Sequence, residues 1–472
     1  MTVSRTSWAP EILLTPLRRN EADPIYRQLE RQLRDAVRSG RLAPDTALPS
    51  TRVLASSLGV ARGVVVEAYE QLVAEGYLVS RAGGSTRVAR VPLVPPAEPR
   101  PATSEPPEFD FRPGQPDLRE FPRGAWLRSV RRVVGGAPAE RFGYLDGYGL
   151  PELRAALSAY LDRVRGTHTS PDRIVVTSGF AQGIRLIGQA LRASGVRRVA
   201  VEDPWSTEYR DRLTASGLEL VPIPVDDDGL RVADLERAAV RAVVLTPAHQ
   251  FPTGAVLSPE RRASLMAWAD QVDGVIVEDD YDAEFRYDRD PIGAMQGLCA
   301  ERVVYAGTAS KTLAPGLRLG WLALPRALAD RVAVAKKGSD HGSSAIEQLA
   351  LADFIERGEL DRHLRRLRTV YRRRRDAILG SLARWLPEAD PCGASAGLHV
   401  LAWLPPDIDD AAVVRAAGAA GIGVQDVTSG TLLEGSRRGL IFGYGTLDEA
   451  RIDAGIRRLA EVIHSDEKRA PG

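Results

Sequence analysis

The chain has 472 residues, which is too many for one hydrophobic core, so two or more domains are expected. Its 63 basic and 62 acidic side chains nearly cancel, so only their local distribution can indicate a charged partner such as nucleic acid. A hydrophobic content of 44% is ordinary for a globular protein, and two cysteines are too few for a disulfide framework.

The N-terminal segment contains one short apolar run, Ile12–Leu14, and no secretory signal is expected there. No apolar stretch of the sequence approaches the roughly 18 residues that a membrane-spanning helix needs. The two cysteines, Cys299 and Cys392, are not at metal-ligand spacing. We therefore expect a cytoplasmic protein that binds neither a membrane nor a metal.

Residues 20–90 are predicted to contain three short helices followed by a β-hairpin. The first helix begins at Pro24, the second spans Ser50 to Leu58 with Ser50 as its N-cap, and the third ends at Gly76. Apolar residues repeat on one face of the first and third helices: Ile25, Leu29, Leu33 and Val37, then Val65, Ala68, Tyr69, Leu72 and Val73. The last two helices predict a helix-turn-helix, and the hairpin around residues 81–85 predicts a wing.

This segment resembles the GntR superfamily of winged-helix regulators over residues 24–90. The motifs that carry the resemblance are Leu48-Pro-Ser-Thr-Arg52, Leu54-Ala-x-x-Leu-Gly-Val60 and Ala68-Tyr-x-x-Leu-x-x-x-Gly76. The resemblance implies that the third helix enters the major groove of double-stranded operator DNA, where arginine pairs with guanine edges or phosphates. The DNA-binding residues that it implies are Arg52, Arg62, Gly83, Gly84 and Arg87.

The charge of residues 1–90 agrees with this role. They carry 13 arginines and 9 acids, a net charge of +4, which leaves −3 for the remainder of a chain whose total is +1. An alternative is that these arginines form the solvated face of a protein-interaction domain. The complete pattern of three helices and a wing favours DNA. Ala61, Gly63 and Val66 replace polar residues of many relatives, so base readout is expected to be narrower or to use other residues.

A proline-rich linker is predicted over residues 91–108. Seven of the 17 residues from Val91 to Pro107 are proline, which disfavours helix and sheet and favours an extended, semi-rigid spacer. The linker separates the N-terminal domain from a second domain over residues 109–472.

Residues 109–472 alternate short apolar strands with helical stretches, the pattern of a mostly parallel sheet with helices on both faces. The predicted strands are 174–176, 199–201, 242–245, 275–277, 303–305 and 319–324. A long helical region, 345–385, and a smaller α+β part, 397–463, follow. Ligands of such sheets bind beyond the carboxyl ends of the strands, so the residues there form the candidate site.

Three of these strand ends carry chemically informative residues. Thr177-Ser-Gly-Phe180 opens a helix, where backbone N–H groups suit a phosphate. Five acids lie between Glu278 and Glu284, and because unpaired buried carboxylates are costly, one of them needs a partner. Lys311, one of four lysines in the chain, can form an imine, while Thr308, Ser310 and Arg318 can hold a phosphate. The alternative is a surface lysine beside a solvated acidic loop, which the order and spacing of the motifs disfavour.

In this order the motifs resemble fold-type I pyridoxal-phosphate enzymes, the aspartate-aminotransferase-like group, over roughly residues 109–465. The resemblance implies that Lys311 is the catalytic residue and holds pyridoxal 5′-phosphate as a Schiff base. It implies that Asp279 keeps the pyridine nitrogen protonated and that Tyr281 hydrogen-bonds the phenolic oxygen. The implied phosphate ligands are Ser178, Gly179, Phe180, Thr308, Ser310 and Arg318.

Two of these assignments stay open at the level of sequence. Asp280 competes with Asp279 for the pyridine nitrogen, and we prefer Asp279 because Asp-x-Tyr is the spacing of the regulator subgroup that this chain also resembles. Trp205 is assigned to stack on the cofactor ring, although ordinary members of the group carry the aromatic residue one position later, where this chain has Ser206.

Two residues depart from the aminotransferase pattern. Phe251 replaces the asparagine that usually contacts the phenolic oxygen, and Ile441 stands where the arginine for the substrate carboxylate is expected. Arg437 and Arg438 are near in sequence, but a solvated turn explains them equally well. A site without a fixed carboxylate clamp should bind ordinary 2-amino acids poorly.

The whole arrangement resembles the MocR/GabR-type subfamily of GntR regulators, in which a phenylalanine at the position of Phe251 is usual. The resemblance implies a winged helix-turn-helix joined to a fold-type I α/β domain with a smaller C-terminal α+β subdomain. It implies a transcription factor whose effector is pyridoxal phosphate itself or an amine or amino acid that reacts with it. It further implies a homodimer that exchanges domains head-to-tail.

Two other functions agree with parts of the sequence. One is an active aminotransferase with an accessory winged helix, since Lys311, Asp279 and Tyr281 permit at least a half-reaction. The missing carboxylate arginine argues against efficient turnover, so a physiological catalyst is not expected. The other is a DNA-binding dimer with an inert second domain, which the intact Lys311 disfavours.

Overall fold

The computed structural model describes residues 17–18, 23–80, 85–90, 106–287 and 292–467. The chain forms two compact units, Met1–Ser104 and Glu105–Gly472, which are described separately. The wing residues Gly83 and Gly84 lie outside the described residues, as does all of the predicted linker except 106–108.

The described residues of the first unit form three helices and a two-stranded antiparallel ribbon. In chain order they are α1 (Ile25–Arg38), α2 (Thr51–Leu58), α3 (Arg62–Ala74), β1 (Leu78–Val79) and β2 (Arg87–Val88). As predicted, Ser50 caps α2: its hydroxyl accepts a hydrogen bond from the Val53 N–H at 3.3 Å. Gly59, at a φ of 63°, ends this helix in the left-handed conformation that glycine adopts without strain.

The predicted apolar faces of α1 and α3 form the core of this unit, where Leu29, Leu33, Val65 and Leu72 are buried. Val73, predicted on the same face, is 37% exposed. It lies about 80° around the helix from Val65, at the edge of the apolar stripe, because each residue turns a helix by roughly 100°. The periodicity therefore predicts the core residues of α3 correctly, except that it assigns Val73 to the core.

The second unit contains a large mixed sheet and a smaller one. Its strands are β3 (Phe109–Asp110), β4 (Ile174–Thr177), β5 (Arg198–Asp203), β6 (Glu219–Asp226), β7 (Gly229–Leu230), β8 (Ala242–Leu245), β9 (Val275–Asp280), β10 (Val303–Thr308), β11 (Gly320–Ala323), β12 (Asp390–Cys392), β13 (His399–Trp403), β14 (Ile422–Gly423), β15 (Gln425–Asp426) and β16 (Gly439–Gly443). Its helices are α4 (Arg123–Gly136), α5 (Pro151–Arg165), α6 (Phe180–Ala193), α7 (Thr207–Ala215), α8 (Val232–Arg237), α9 (Pro259–Gln271), α10 (Arg326–Asp340), α11 (Ala345–Glu356), α12 (Glu359–Trp385), α13 (Asp410–Ala419) and α14 (Glu449–Glu467).

The large sheet has eight strands in the order β4-β11-β10-β9-β8-β5-β6-β7. The pairs from β10 to β6 are all parallel, and β11 and β7 run antiparallel to their neighbours, so the predicted mostly parallel sheet is confirmed. All six predicted strands are present. The sequence did not indicate β6, because Pro222 and Pro224 interrupt its apolar pattern.

Alternate residues of each central strand feed cores on opposite faces of the sheet. In β4, Ile174 and Val176 join a cluster with α5 and α12, whereas Val175 joins a cluster with α6 and α10. This alternation follows from the two-residue period of a strand, and it explains why strands with both faces covered read as continuous apolar runs. The predicted helical region 345–385 is two helices, because Gly358 adopts a φ of 66° and ends the first one.

The C-terminal part of this unit is a small α+β subdomain. Its four-stranded sheet has the order β12-β13-β16-β15, and α14 packs along α12. Strand β3 pairs with β14, with Phe109 opposite Ile422, so the first strand after the predicted linker belongs with this subdomain. Within the described residues, no helix is long and apolar enough to cross a membrane.

Candidate functional site

A cavity of about 390 Å³ lies at the carboxyl ends of β9 and β10 and is closed on one side by residues of β13 and β15. The predicted site residues that line it are Phe180, Trp205, Asp279, Tyr281, Thr308, Ser310, Lys311 and Arg318. The parallel strands bring these side chains together because their carboxyl ends meet at one edge of the sheet. The predicted residues Ser178 and Gly179 do not line the cavity themselves: the Ser178 carbonyl oxygen accepts a hydrogen bond from Arg318, and Gly179 precedes the helix that begins at Phe180.

Lys311 follows β10 and directs its amine to this cavity. Its Nζ donates a hydrogen bond to the Gly114 carbonyl oxygen at 2.5 Å. Burial lowers the pKa of Lys311 below its ordinary value, and the carboxylates of Asp282 and Asp279 oppose that shift. A lowered pKa raises the fraction of free amine near neutral pH, which is the form that attacks a carbonyl carbon.

The two competing carboxylates occupy different environments, because successive residues of β9 point to opposite faces of the sheet. Asp280 is enclosed by Arg165, whose Nε and guanidinium NH2 donate to it at 2.7 and 3.0 Å, and by the Tyr305 hydroxyl at 2.6 Å. Asp279 lines the cavity, and among the described residues no group donates a hydrogen bond to its carboxylate. Asp280 is therefore already satisfied, and Asp279 is free to meet a ligand.

The other acids of the cluster, Glu278, Asp282 and Glu284, do not line this cavity. Glu278 accepts hydrogen bonds from the backbone N–H groups of Met295 and Gln296, at 3.0 and 3.2 Å. Asp282 pairs with His249, Oδ2 to Nδ1, at 3.1 Å. Glu284 lines a separate pocket. Burial, together with the carboxylates of Asp280 and Asp282, raises the pKa of Asp279 well above its ordinary value. An isolated buried carboxylate of this kind is stabilised by a cationic or hydrogen-bond-donating ligand.

Tyr281 stands between the cavity and a buried imidazole. Its hydroxyl donates to the His249 carbonyl oxygen at 3.3 Å and lies 3.3 Å from His249 Nδ1. Burial alone would lower the pKa of His249, but the neighbouring Asp282 carboxylate outweighs this effect and raises the pKa above its ordinary value. No role for His249 was predicted from the sequence. The signal that could have indicated one is its position two residues before Phe251, in Thr246-Pro-Ala-His-Gln-Phe-Pro-Thr-Gly254.

The cavity also has the donors of an anion site. Helix α6 begins at Phe180, and the first N–H groups of a helix have no intrahelical partner. Gly179 caps it at a φ of 91°, and a Cβ atom there would lie 3.5 Å from the Arg318 guanidinium. The same guanidinium donates to the Ser178 carbonyl oxygen at 2.5 Å. The Thr308 hydroxyl donates to the Ser310 hydroxyl at 2.9 Å, and both residues line the same cavity as Arg318.

Trp205 is buried, and its ring lies 6.1 Å from that of Tyr209. Its backbone N–H donates to the Gly430 carbonyl oxygen at 2.9 Å. Both Trp205 and Ser206 line the cavity, so the structure brings the predicted aromatic residue to the site.

The residues present fit pyridoxal 5′-phosphate. The group needs a free amine for its aldehyde, an anion for its pyridinium nitrogen and an anion-binding site for its phosphate. Lys311, the unpartnered Asp279 carboxylate and the start of α6 with Arg318 supply these three on the walls of one cavity. The sequence did not indicate Gly114, His399 or Gln425 as further wall residues, because they are distant from the motifs along the chain.

In the first unit, the predicted DNA-binding residues that the structure describes are all exposed: Arg52, Arg62 and Arg87. Arg62 opens α3 and its Nε donates to the Thr51 hydroxyl at 3.3 Å, which places the N-terminal ends of α2 and α3 side by side. Arg87 donates to the Asp45 carbonyl oxygen at 2.8 Å. Two adjacent helix N-termini with arginines suit a phosphate backbone.

Comparison with known proteins agrees with both units. The aminotransferase class I and II family model matches residues 117–436, and the model of bacterial regulatory proteins of the gntR family matches residues 25–88. Aminotransferases of this class depend on pyridoxal phosphate, and so do the proteins of known structure that resemble this chain.

Relatives that span the whole arrangement are regulators. The chain is 33% identical over 467 residues to the probable rhizopine catabolism regulatory protein MocR of Rhizobium meliloti, covering 93% of this chain and 94% of that protein. It is 33% identical over 457 residues to the pyridoxine biosynthesis transcriptional regulator PdxR of Corynebacterium glutamicum, covering 95% and 98%. The multiple substrate aminotransferase of Thermococcus profundus is structurally similar, with a TM-score of 0.71 and 27% identity, covering 78% of this chain and 94% of that one. The chain therefore belongs to the MocR/GabR-type subfamily of GntR transcriptional regulators, in which a GntR helix-turn-helix region is combined with a fold-type I aminotransferase-like domain.

Proposed function

We propose that this chain is a transcriptional regulator that holds pyridoxal phosphate on Lys311 and binds operator DNA according to the state of that site. One observation carries the proposal. The Lys311 amine and the unpartnered Asp279 carboxylate face the same cavity, in a chain whose first unit belongs to a DNA-binding family. An inert domain would have no need to keep Lys311 and Asp279 buried without a salt bridge among the described residues, since buried ionisable groups that lack an ion pair destabilise a fold.

The roles that we assign follow the contacts of each residue. When bound, pyridoxal phosphate supplies an electrophilic carbon that exchanges between amines. Lys311 presents a free amine to that carbon, and Asp279 holds a proton on the pyridine nitrogen. Arg318, with Ser310 and the N-terminus of α6, binds the phosphate and fixes the orientation of the ring. Tyr281 would donate its single hydroxyl hydrogen to the ring oxygen instead of to the His249 carbonyl oxygen, its partner in the cofactor-free structure.

We further propose that the effector is pyridoxal phosphate itself or an amine that competes with Lys311. The name of the Corynebacterium relative associates that protein with pyridoxine biosynthesis, which supports the first source. For displacement of Lys311 to act as a switch, the protein must have two conformations. The effector shifts the equilibrium between them only if it binds one more tightly than the other.

A homodimer in the cytoplasm, with domains exchanged head-to-tail, completes the proposal. In its support, the structure exposes large apolar side chains along one segment of the second unit: Leu118, Leu127, Val134, Phe142 and Tyr144. Tyr144 is 95% exposed, which is unusual for an aromatic residue unless a partner covers it. Light scattering of the full chain would report a monomer if this part of the proposal is wrong.

The regulatory proposal is tested by operator binding with and without pyridoxal phosphate. Operators are first selected by the full-length protein from a random-sequence DNA library, and the bound DNA is then footprinted. We expect the footprint or the affinity to change when pyridoxal phosphate, or pyridoxal phosphate plus an amine panel, is added. Identical footprints and affinities under all these conditions would contradict the regulatory role of the cavity.

Replacing Arg62 with alanine should weaken binding to the selected operator by about 1–3 kcal/mol if this arginine reads a base. The residue opens α3 and is exposed, so its loss should not unfold the domain. Fluorescence anisotropy of labelled operator measures the change. Arg41→Ala is the matched control, because Arg41 is an exposed arginine of the same unit that precedes α2. An equal effect of both substitutions would reduce the role of Arg62 to general charge.

A further inference from the structure

The wall of the cavity formed by Phe251, Leu398, His399 and Gln425, here called the C-terminal wall, has an apolar backing. In the small sheet, Ile441 of β16 lies opposite Leu401 of β13 and Gln425 of β15. The Ile441 side chain is buried with Leu401 and Val427, and Phe251 packs against this cluster. The space behind the wall is therefore filled by hydrocarbon.

In the part of the chain that the structure describes, no basic side chain belongs to the C-terminal wall. Among the described residues that line the cavity, the basic side chains are Lys311 and Arg318, and both have roles towards the cofactor. Arg437 instead pairs with Asp390 at 3.1 Å and lies over the Trp403 ring. Arg438 donates to the Ile408 carbonyl oxygen at 3.3 Å. The two arginines closest to Ile441 along the chain therefore make their contacts outside the cavity. This agrees with the alternative that they belong to a solvated turn.

His399 contributes a neutral hydrogen-bond acceptor to the wall. It is 3% exposed, and its Nε2 donates to the Pro252 carbonyl oxygen at 3.1 Å, which leaves Nδ1 as the unprotonated nitrogen. Burial lowers the pKa of His399 well below its ordinary value, and the adjacent His249 lowers it further. Within the described part of the chain, no group donates to Nδ1. An uncharged acceptor at this position attracts a ligand N–H or O–H group.

From this wall we infer that the effector is a primary amine that carries no carboxylate beside its amino group. A carboxylate placed against Phe251 and Leu398 would lose its hydration and meet no basic side chain among the described residues of this wall, with only the neutral amide of Gln425 as a donor, which is a large penalty. An amine with an apolar or hydrogen-bond-donating chain meets Phe251, Leu398 and the His399 acceptor at no such cost. The inference rests on the proposed function, because it concerns the ligand that competes with Lys311.

The test compares amines with their parent amino acids, which differ only by the carboxylate. Full-length protein loaded with pyridoxal phosphate is titrated with tyramine and tyrosine, and with putrescine and ornithine. The absorbance of the bound chromophore and the anisotropy of the selected operator are the two readouts. We expect each amine to act at a concentration about tenfold or more below that of its amino acid, as for a site that leaves a charged group unpaired.

A substitution that supplies the missing charge should reverse this order. Ile441→Arg is expected to lower the concentration at which tyrosine acts and to raise that for tyramine, whereas Ile441→Met should leave the wild-type order. Gln425→Arg is a second carrier of the charge, because Gln425 is half-buried, lines the cavity and can tolerate a longer side chain if Ile441→Arg fails to fold. Circular dichroism and retention of the chromophore confirm that each variant is folded and loaded.

Three outcomes would overturn the inference. Amino acids could act at concentrations equal to or below those of their matched amines, or neither arginine variant could improve the response to tyrosine. In the third, the loaded protein responds to neither class while pyridoxal phosphate alone changes operator binding, which makes the cofactor itself the effector. Failure of pyridoxal phosphate to bind at all is a different result, since it overturns the proposed function before any amine is added.

Discussion

Lys311→Ala is expected to abolish covalent attachment of pyridoxal phosphate completely. Among the described residues that line the cavity, Lys311 is the lysine. Burial lowers the pKa of its amine, which increases the fraction in the uncharged, reactive form. Full-length protein is incubated with pyridoxal phosphate and reduced with borohydride, which fixes any imine as a stable adduct. Mass spectrometry of the intact chain and of its peptides then counts and locates the adduct.

Lys337→Ala is the matched control for this experiment. Lys337 is an exposed lysine at the end of α10 and does not line the cavity, so its removal should leave the adduct in place. Operator binding without cofactor should be the same in both variants and the wild type, because the DNA-binding unit is unchanged. An adduct that persists in Lys311→Ala, on another lysine or on the N-terminus, would refute the assignment of the cofactor lysine.

Patterns of short range predict much of the fold. The three N-terminal helices and the six central strands follow from local periodicity and capping, as the hydroxyl of Ser50 illustrates. The strand ends predict where the chemistry lies, because parallel strands bring their carboxyl ends to one edge. Local patterns therefore place Lys311 and the acidic cluster at one edge of the sheet, whereas the choice of Asp279 within that cluster comes from the family resemblance.

Contacts between distant residues limit the prediction of the site. Lys311 Nζ meets the carbonyl of Gly114, 197 positions away, and Arg165 meets Asp280 across 115 positions. Neither spacing leaves a periodic signal, since each contact depends on how whole elements pack. The same reason hides the pairing of His249 with Asp282, and with it the support of Tyr281.

The choice between Asp279 and Asp280 leads to opposite expectations for two asparagine variants. Asp280→Asn removes one charge of a buried ion pair and leaves the Arg165 guanidinium without its counterion, so the free energy of unfolding should fall by about 3–5 kcal/mol. Asp279→Asn removes a buried carboxylate that has no partner among the described residues, so the cofactor-free protein should keep or gain stability. Urea denaturation of the cofactor-free full chain measures both.

The cofactor reverses the ranking of the two variants. If Asp279 pairs with the pyridinium nitrogen, Asp279→Asn should weaken retention of pyridoxal phosphate by about 3 kcal/mol, or roughly a hundredfold. Asp280→Asn, in conditions where it is folded, should retain the cofactor nearly as the wild type does. Equilibrium dialysis measures this affinity in both. Equal loss of affinity would contradict the assignment, and the reverse order would identify Asp280 as the partner of the nitrogen.

The stability of the wild type and of Asp279→Asn should depend on pH in different ways, and the direction of the difference follows from the pKa of Asp279. Burial raises the pKa of Asp279 in the folded, cofactor-free protein above the unfolded value of about 3.9. Between these two pKa values the folded chain holds a proton that the unfolded chain has lost, so wild-type stability falls as pH rises. Asparagine does not titrate, and Asp279→Asn should therefore gain stability over the wild type as pH increases from about 4 towards neutrality. A stability difference between wild type and Asp279→Asn that stays constant over this range would mean that Asp279 is ionised and paired in the folded protein.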